Sequence, residues 1–365
     1  MRIVVDCRYT RLERHDGISR YTAELVRELA LLHDVTMLIS DRRQLAMLPS
    51  LPWERVTGPT SPFEPFVALL VNRLRPDVVF SPMQTMGSLG RRYRLVLTVH
   101  DLIYYRHRTP PRDLPAPIRG LWRLYHLAWW PQRRLLQRAD AVVTVSETTR
   151  ELLRANRLTT RRVVVVPNAT TEPDEASVAL AASLPDRSDA RSLVYMGSFM
   201  PYKNVESLAR AMRLLPDYEL HLMSRAGDET VETLRALAPT AELVFHQGAP
   251  DAEYRAVLAR ATALVTASRD EGFGIPLVEA MALGTPVVVS DIPIFREIAQ
   301  EAAVYVDPSS AKAIADGVRS LEDGAVWRAQ SARARERAAA FSWRDSARVL
   351  FELLTDLGER SADGR

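Results

Sequence analysis

The strongest constraint on this chain is a rhythm. Short β-branched runs alternate with amphipathic stretches of helical spacing, and the rhythm restarts near residue 190. In the first half the strand candidates are Arg2–Asp6, Val35–Ile39, Asp77–Phe80, Leu95–His100, Ala141–Ser146 and Val163–Pro167, with helices expected near 18–32, 64–74, 117–137 and 147–155. In the second half they are Leu193–Gly197, Glu219–Met223, Leu243–Gln247, Ala263–Ala267, Pro286–Asp291 and Ala303–Val306, with helices near 204–215, 228–237, 251–261, 276–283, 311–321 and 325–340. Strands buried on both faces need continuous apolar runs, so the pattern reads as parallel sheets covered by helices. Two rounds of it predict an α/β protein of two Rossmann-like doubly wound domains, 1–170 and 171–340, facing a central cleft. Ligands of such sheets sit beyond the carboxyl ends of the strands.

Pro167-Asn168 opens a polar stretch reaching about Asp189, whose Ala, Asp, Glu, Ser and Pro content suits a linker. The segment 341–365, a helix starting near Ser342-Trp343, has no strand after it and is expected to return to the first domain. At 365 residues the chain is too long for one ordinary core, and 47% hydrophobic with 25% charged residues excludes disorder and fibrous folds. No apolar run approaches the roughly 18 residues that span a bilayer. Met1 leads directly into Ile3-Val4-Val5 with no secretory leader, and the single Cys7 forms no internal disulfide. A cytoplasmic protein is expected.

The net charge of +3 conceals an asymmetry. Residues 1–170 carry 27 Arg against 15 acids, a balance of +12, and the remainder carry 21 Lys+Arg against 30 acids, a balance of −9. Either the first half faces something anionic, or arginine is merely frequent on a solvated surface, since only Lys203 and Lys312 stand beside 46 arginines. The stretch Leu114–Arg138 sharpens the question, with Trp122, Trp129, Trp130, Tyr125 and His126 interleaved with Arg123, Arg133 and Arg134. That suits peripheral contact with an anionic membrane or a bulky acceptor, and equally a helix with a core aromatic stripe. No nucleic-acid module is present, so no nucleic-acid partner is expected.

The most informative string is Glu271-Gly272-Phe273-Gly274-Ile275-Pro276-Leu277-Val278-Glu279-Ala280-Met281. A strand ends, an acid and two glycines form a loop, and Pro276 falls near the first helical position, where its missing N–H costs little. Glycine lets backbone approach a ligand, and the free N–H groups of a helix start attract phosphate. Glu271 before that start and Glu279 in its first turn can accept hydrogen bonds from hydroxyls. The site suits a polyol joined to a diphosphate. Gly197-Ser198-Phe199-Met200-Pro201-Tyr202-Lys203-Asn204 likewise follows a strand and opens a helix, placing one of two lysines where a compact cation suits a phosphate.

Together these strings resemble glycosyltransferase family 4, a retaining family of GT-B fold marked by an E-x7-E element, and are similar to its bacterial mannosyl- and glucosyl-type transferases. The resemblance extends through Gly284-Thr285-Pro286-Val287-Val288 to Tyr305-Val306-Asp307-Pro308 and covers nearly the whole chain. It implies that Glu271 meets hydroxyls of the donor sugar, Glu279 the nucleotide ribose and Lys203 the diphosphate, with Ser198 among the donor-binding residues and backbone amides around Phe273, Gly274 and Ile275 facing sugar and diphosphate. It further implies a catalytic role for His100, which ends a strand in Leu97-Thr98-Val99-His100-Asp101. Gly17, in Asp16-Gly17-Ile18-Ser19-Arg20-Tyr21, would start the first helix near the diphosphate. The loop His246-Gln247-Gly248-Ala249 falls where the family cups the base, mostly by backbone. Many relatives carry an arginine where this chain has Tyr202, so one cation at the diphosphate is missing or comes from elsewhere.

The expected activity is transfer of a hexose from a nucleotide-diphosphate sugar to a hydroxyl of a glycan, lipid-linked or glycoside acceptor, with His100, Lys203 and Glu271 catalytic. No acids stand at metal-ligand spacing, so neither metal nor cofactor is expected. An epimerase or inverting transferase of the same architecture, or a non-catalytic nucleotide-sugar binder, are the alternatives. A nicotinamide-dependent oxidoreductase would need Gly-x-Gly-x-x-Gly after an early strand, and only Asp16-Gly17 is found there. Donor identity, linkage and oligomeric state are not written in these motifs.

Overall fold

The computed structural model describes residues 1–110, 116–170, 175–184 and 186–362. Leu114 and Pro115 of the aromatic segment, 171–174 and 185 of the polar stretch, and 363–365 at the end lie outside the described residues. The chain forms two compact units, Met1–Ala169 with Ser342–Arg365, and Thr170–Phe341.

In the first unit seven parallel strands are β1 (Ile3–Asp6), β2 (Val35–Ile39), β3 (Trp53–Arg55), β4 (Val78–Ser81), β5 (Arg94–Val99), β6 (Ala141–Thr144) and β7 (Arg162–Val165). Their order is β3-β2-β1-β4-β5-β6-β7. Ile3 pairs with Val35 on one side and Val78 on the other, so the winding reverses between β1 and β4. Every residue of β1, β4 and β6 is buried, as two helical layers require. The helix Trp343–Ala362 belongs to this unit and packs along the helix Gly17–Leu32. Trp343 meets the Tyr21 ring edge-on at 5.8 Å, and Ser346 Oγ donates to the Pro167 carbonyl at 2.8 Å.

The second unit repeats the design with β8 (Ser192–Tyr195), β9 (Glu219–Leu222), β10 (Glu242–Phe245), β11 (Ala263–Thr266), β12 (Val287–Ser290) and β13 (Ala303–Val306), all parallel. The order β10-β9-β8-β11-β12-β13 places its reversal between β8 and β11. Trp327 lies fully buried in its core, its indole N–H donating to the Thr262 carbonyl at 2.9 Å.

Besides the unforeseen short helices Arg42–Met47, Ile103–Arg106 and Pro293–Ala299, the structure departs from the sequence rhythm in four places. β3 was not foreseen, because Glu54 and Arg55 obscure a three-residue strand that pairs only with β2. The stretch 117–137 is two helices, Ala116–Tyr125 and Trp130–Gln137; Pro131 cannot sit inside a helix but is tolerated in a first turn. The helix over 64–74 divides into Glu64–Phe66, Val67–Val71 and Asn72–Leu74, with 3-10 turns at both ends. Finally, the polar stretch is more than linker. Glu175–Ser183 is helical, and Arg187 is buried under the second sheet. Its guanidinium donates to the carbonyls of Ala259 at 2.6 Å and Gly284 at 3.0 Å and lies 4.8 Å over the Trp327 ring. Burial, with help from nearby Arg335, lowers its pKa to about 10.

Candidate functional site

In the second unit the chemistry gathers at the reversal of the sheet. β8 runs into the loop holding Lys203 and β11 into the loop holding Glu271, so the crevice topology brings together two residues 68 positions apart. Lys203 Nζ donates to Glu271 Oε1, and each side chain is only 15% exposed. Ser268 Oγ donates to the same carboxylate oxygen at 3.4 Å and lies 3.0 Å from Thr266 Oγ1. The ammonium also stands 5.4 Å over the Tyr202 ring.

Asn204 fixes this arrangement. Its backbone is left-handed, with φ of 54°, a conformation asparagine tolerates better than most residues. The buried carboxamide donates to the Ala267 carbonyl at 3.1 Å and the Pro308 carbonyl at 2.8 Å, and accepts from Ser207 Oγ at 2.9 Å and Arg269 Nη2 at 3.1 Å. One side chain with all four hydrogen-bonding positions used thus ties together the loops after β8, β11 and β13. Arg269 N also donates to the Tyr202 carbonyl at 2.8 Å. An arginine therefore stands beside Tyr202 in space, although it lies far away in sequence. Motif reading passed over Asn204 as a pin and missed Arg269; only the pairing of β8 with β11 reveals both.

The other expected donor residues of this unit lie on the loops after β8 and β11 and on the helix that follows β11. Ser198 gives its carbonyl to Tyr195 Oη at 2.7 Å; burial pushes that phenol's pKa up, and the nearby Glu271 charge adds to it. Gly197 leaves no room for a side chain, since an added Cβ would lie 2.8 Å from Tyr195 Oη. Gly274 has φ of 92° and caps the helix Ile275–Ala282 without any side-chain bond to its amides. In the first turn Pro276 has no N–H and Leu277 N donates to the Gly274 carbonyl at 2.9 Å, which leaves the Ile275 N–H with no capping side chain in the way of an anion. The Phe273 ring is buried against Phe341 at 5.6 Å, so this residue can offer a ligand only its backbone. Glu279 is the fifth residue of the helix, one turn further in than the sequence placed it.

The loop after β10 turns through left-handed Gln247 and Gly248, with φ of 57° and 95°. Gly248 N and Ala249 N both donate to the Met223 carbonyl, at 3.0 and 3.1 Å, and Gln247 Oε1 accepts from Ala226 N at 3.1 Å. Among the described residues, no three His, Cys, Asp or Glu side chains gather as a metal-ion site.

In the first unit, His100 and the helix start at Gly17 flank the reversal between β1 and β4. His100 Nε2 lies 2.8 Å from the Pro82 carbonyl, so that nitrogen carries the proton and Nδ1 is left as an acceptor in the neutral ring. Burial lowers the His100 pKa to about 4, outweighing the opposing pull of the Pro82 carbonyl and of Asp16. Part of the ring surface stays open, but protein crowds it on most sides, including Tyr21 edge-on at 5.0 Å. Gly17 is the first residue of its helix, capped by Asp16 Oδ1, which accepts from Ser19 N at 2.9 Å.

A cavity of about 870 Å³ opens at the carboxyl end of β1, lined among others by Arg11, Arg14, His15, Asp16 and Gln44. Its floor is rigid. Arg8 donates to Asp6 at 2.7 and 3.0 Å, to Glu64 at 2.5 and 2.9 Å and to the Thr57 carbonyl at 3.0 Å. Those bonds engage all five guanidinium N–H groups, so Arg8 is structural although it lines the cavity. Gln44 Nε2 holds the loop above through the Arg8 and Thr10 carbonyls, at 2.9 and 2.8 Å.

Known proteins share this organisation. Residues 15–171 match the family model described as Glycosyltransferase Family 4, and residues 180–341 match Glycosyl transferases group 1. The O-antigen chain mannosyltransferase RfbU of Salmonella typhimurium is 25% identical over 321 residues, covering 84% of this chain and 87% of that protein. The serotype-specific mannosyltransferase WbdA of Escherichia coli is 34% identical over 191 residues, which are 50% of this chain and only 23% of WbdA. Among solved structures, Anabaena HepE in complex with UDP-glucose superposes with a TM-score of 0.75 at 16% identity, covering 98% of this chain and 100% of that one. The structural likeness shows the GT-B fold, and two family models that together span most of the sequence place the chain among the glycosyltransferases of family 4 kind.

Proposed function

We propose that the protein is a retaining hexosyltransferase that moves a sugar from a nucleotide-diphosphate donor to a hydroxyl of a glycan, lipid-linked or glycoside acceptor. The observation that carries this reading is the Lys203–Glu271 pair at the β8–β11 reversal, with Glu271 on the loop that leads to the uncapped Ile275 N–H of the helix Ile275–Ala282. A cation and helix amides suit a diphosphate, and carboxylates suit hydroxyls. In this reading Glu271 accepts from donor-sugar hydroxyls, Glu279 from the ribose, and Lys203 and Ser198 face the diphosphate. Arg269 takes the place of the arginine that Tyr202 displaces. By resemblance, His100, neutral at pH 7 with Nδ1 as acceptor, and the helix start at Gly17 are the first unit's candidates to meet the donor.

In the reaction, the C1–O bond to the leaving phosphate breaks as the acceptor oxygen bonds C1 from the same face. The acceptor's proton passes to a leaving-phosphate oxygen. The C1 centre is oxocarbenium-like, as in glycoside chemistry generally, and the protein's contribution is to stabilise charge gathering on the diphosphate. Lys203 and the amides after Gly274 can do so without a metal ion, and turnover is expected to survive chelation of divalent cations.

The relatives' names support a choice of donors to test. Two are named mannosyltransferases and a solved structure of like fold holds UDP-glucose, so a GDP- or UDP-hexose is the class to test. The O-antigen relative points to a surface polysaccharide as the product. We place the reaction in the cytoplasm, which the buried, unpaired thiol of Cys7 suits. The deciding experiment is a thermal-shift screen of nucleotide sugars followed by NMR of the product's anomeric configuration. A true donor raises the melting temperature by mass action. Lack of a shift with every nucleotide diphosphate would refute the donor assignment, and an inverted product would refute retention.

A further inference from the structure

The first unit carries an apolar surface that its own core does not use. Ile118, Leu121, Leu124, Leu127 and Trp130 recur every third residue through the helix Ala116–Tyr125, the turn after it and the start of the helix Trp130–Gln137, and they are 49%, 66%, 65%, 56% and 60% exposed. Five large side chains in so short a stretch form a patch, not the scattered apolar exposure ordinary for a surface. The other aromatics are half-buried and packed on one another. Trp129 stacks on Tyr105 at 4.1 Å, Trp122 meets Tyr104 edge-on at 5.0 Å, and Tyr125 Oη donates to Gln132 Oε1 at 3.1 Å. The aromatic stripe is thus structural, and it pins the two helices so that the leucines face solvent.

Charge says what should cover the patch. Residues 114–139 contain five arginines and no Asp or Glu. Arg123 and Arg134 are exposed and make no hydrogen bond or ion pair among the described residues, whereas Arg133 is tied to the carbonyls of Arg157 and Asn156 at 2.9 and 3.2 Å. A protein partner of ordinary composition would have to supply a concentrated acidic rim. An anionic bilayer supplies apolar depth and negative headgroups together, and helices with leucine and tryptophan beside arginine lie in such an interface. Among the described residues no helix is long and apolar enough to cross a membrane, so the mode is lying on the surface.

We propose that this face docks the protein on an anionic phospholipid membrane, with Leu121, Leu124, Leu127 and Trp130 entering the acyl boundary and Arg123 and Arg134 meeting headgroup phosphates. The proposal is independent of which sugar is transferred. The test is co-sedimentation of the full chain with vesicles of phosphatidylglycerol mixed with phosphatidylcholine, against pure phosphatidylcholine. Wild type should partition onto the mixed vesicles, progressively less as salt rises, and only weakly onto the neutral ones. L121E/L124E should lower that partitioning at least about tenfold with the melting temperature unchanged, because both residues are exposed. L121S/L124S provides the same reading should the charged pair fail to fold. R123E/R134E should abolish the preference for the anionic vesicles. Wild type that ignores both vesicle types overturns the proposal, as does binding indifferent to all three variants. A concentration-dependent dimer in light scattering that L121E/L124E abolishes, without vesicle binding, would make the face a self-interface instead.

Discussion

Lys203 donates to Glu271 across the reversal of the second sheet, and both side chains are almost enclosed. Before a donor arrives, each neutralises the other. In the proposed reading, a diphosphate would draw the ammonium away and free the carboxylate for sugar hydroxyls, so that one arrival would prepare both groups.

Removing the cation should therefore cost rate more than fold. Lys203→Ala is expected to lower kcat roughly 100- to 1,000-fold, as losing a preorganised charge stabiliser does. Lys203→Arg should recover only part, because a planar fork does not reproduce a compact ammonium. Initial rates with the donor found in the screen provide the check, and Lys203→Ala within a few-fold of wild type would refute the leaving-group role.

His100 gives a pH signature. The unfolded ring titrates near 6.5 and the folded one near 4, so the unfolded chain binds the additional proton between those values. The resulting stabilisation is complete above about pH 6.5 and is lost as pH falls toward 4, by at most roughly 3 kcal/mol. Melting temperatures measured across that window should decline more steeply for wild type than for His100→Phe. Parallel declines would show that the ring is not held neutral.

Asn204 should be the most costly single side chain in the second unit's crevice. Asn204→Leu strands two carbonyls and a hydroxyl and puts a branched side chain at φ 54°. Together these are expected to cost roughly 3–5 kcal/mol. Urea unfolding should show it, and Asn204→Asp should fall between the two because it keeps the acceptors but loses the donor.

Gly274 tests the helix start. At φ 92° an added Cβ is strained and lies 3.1 Å from the Phe295 ring. Gly274→Ala is expected to lose roughly 1–2 kcal/mol of stability and to weaken donor binding beyond that, because the amides at the cap shift. Calorimetric titration with the donor separates the two effects.

Much of this architecture is legible in the sequence, because buried parallel strands such as Val287–Ser290 must be written as unbroken β-branched runs. Short elements at edges carry no such obligation, which hides Trp53–Arg55. The polar stretch misled for another reason. Arg187 reads as a linker residue, but enclosing carbonyls and an indole face satisfy a buried guanidinium, and those partners come from distant segments. The site shows the same division. Glycine, proline and acid spacing around Gly274 announces a loop and helix start, borne out by Ile275–Ala282, whereas the placement of Arg269 and the pinning role of Asn204 exist only once β8 and β11 lie side by side.

The helix Trp343–Ala362 bears on how the chain acquires its structure. It buries Ala347, Leu350, Leu353 and Leu354 in a unit whose other elements were all synthesised before residue 170. As the chain emerges from the ribosome, the second unit has every residue it needs while the first still lacks a wall. The usual N-terminal-first order of folding is thereby inverted for the final step. Until Leu354 has emerged, the Gly17–Leu32 helix keeps a face open to chaperones, and a message truncated near residue 341 would leave that face open permanently.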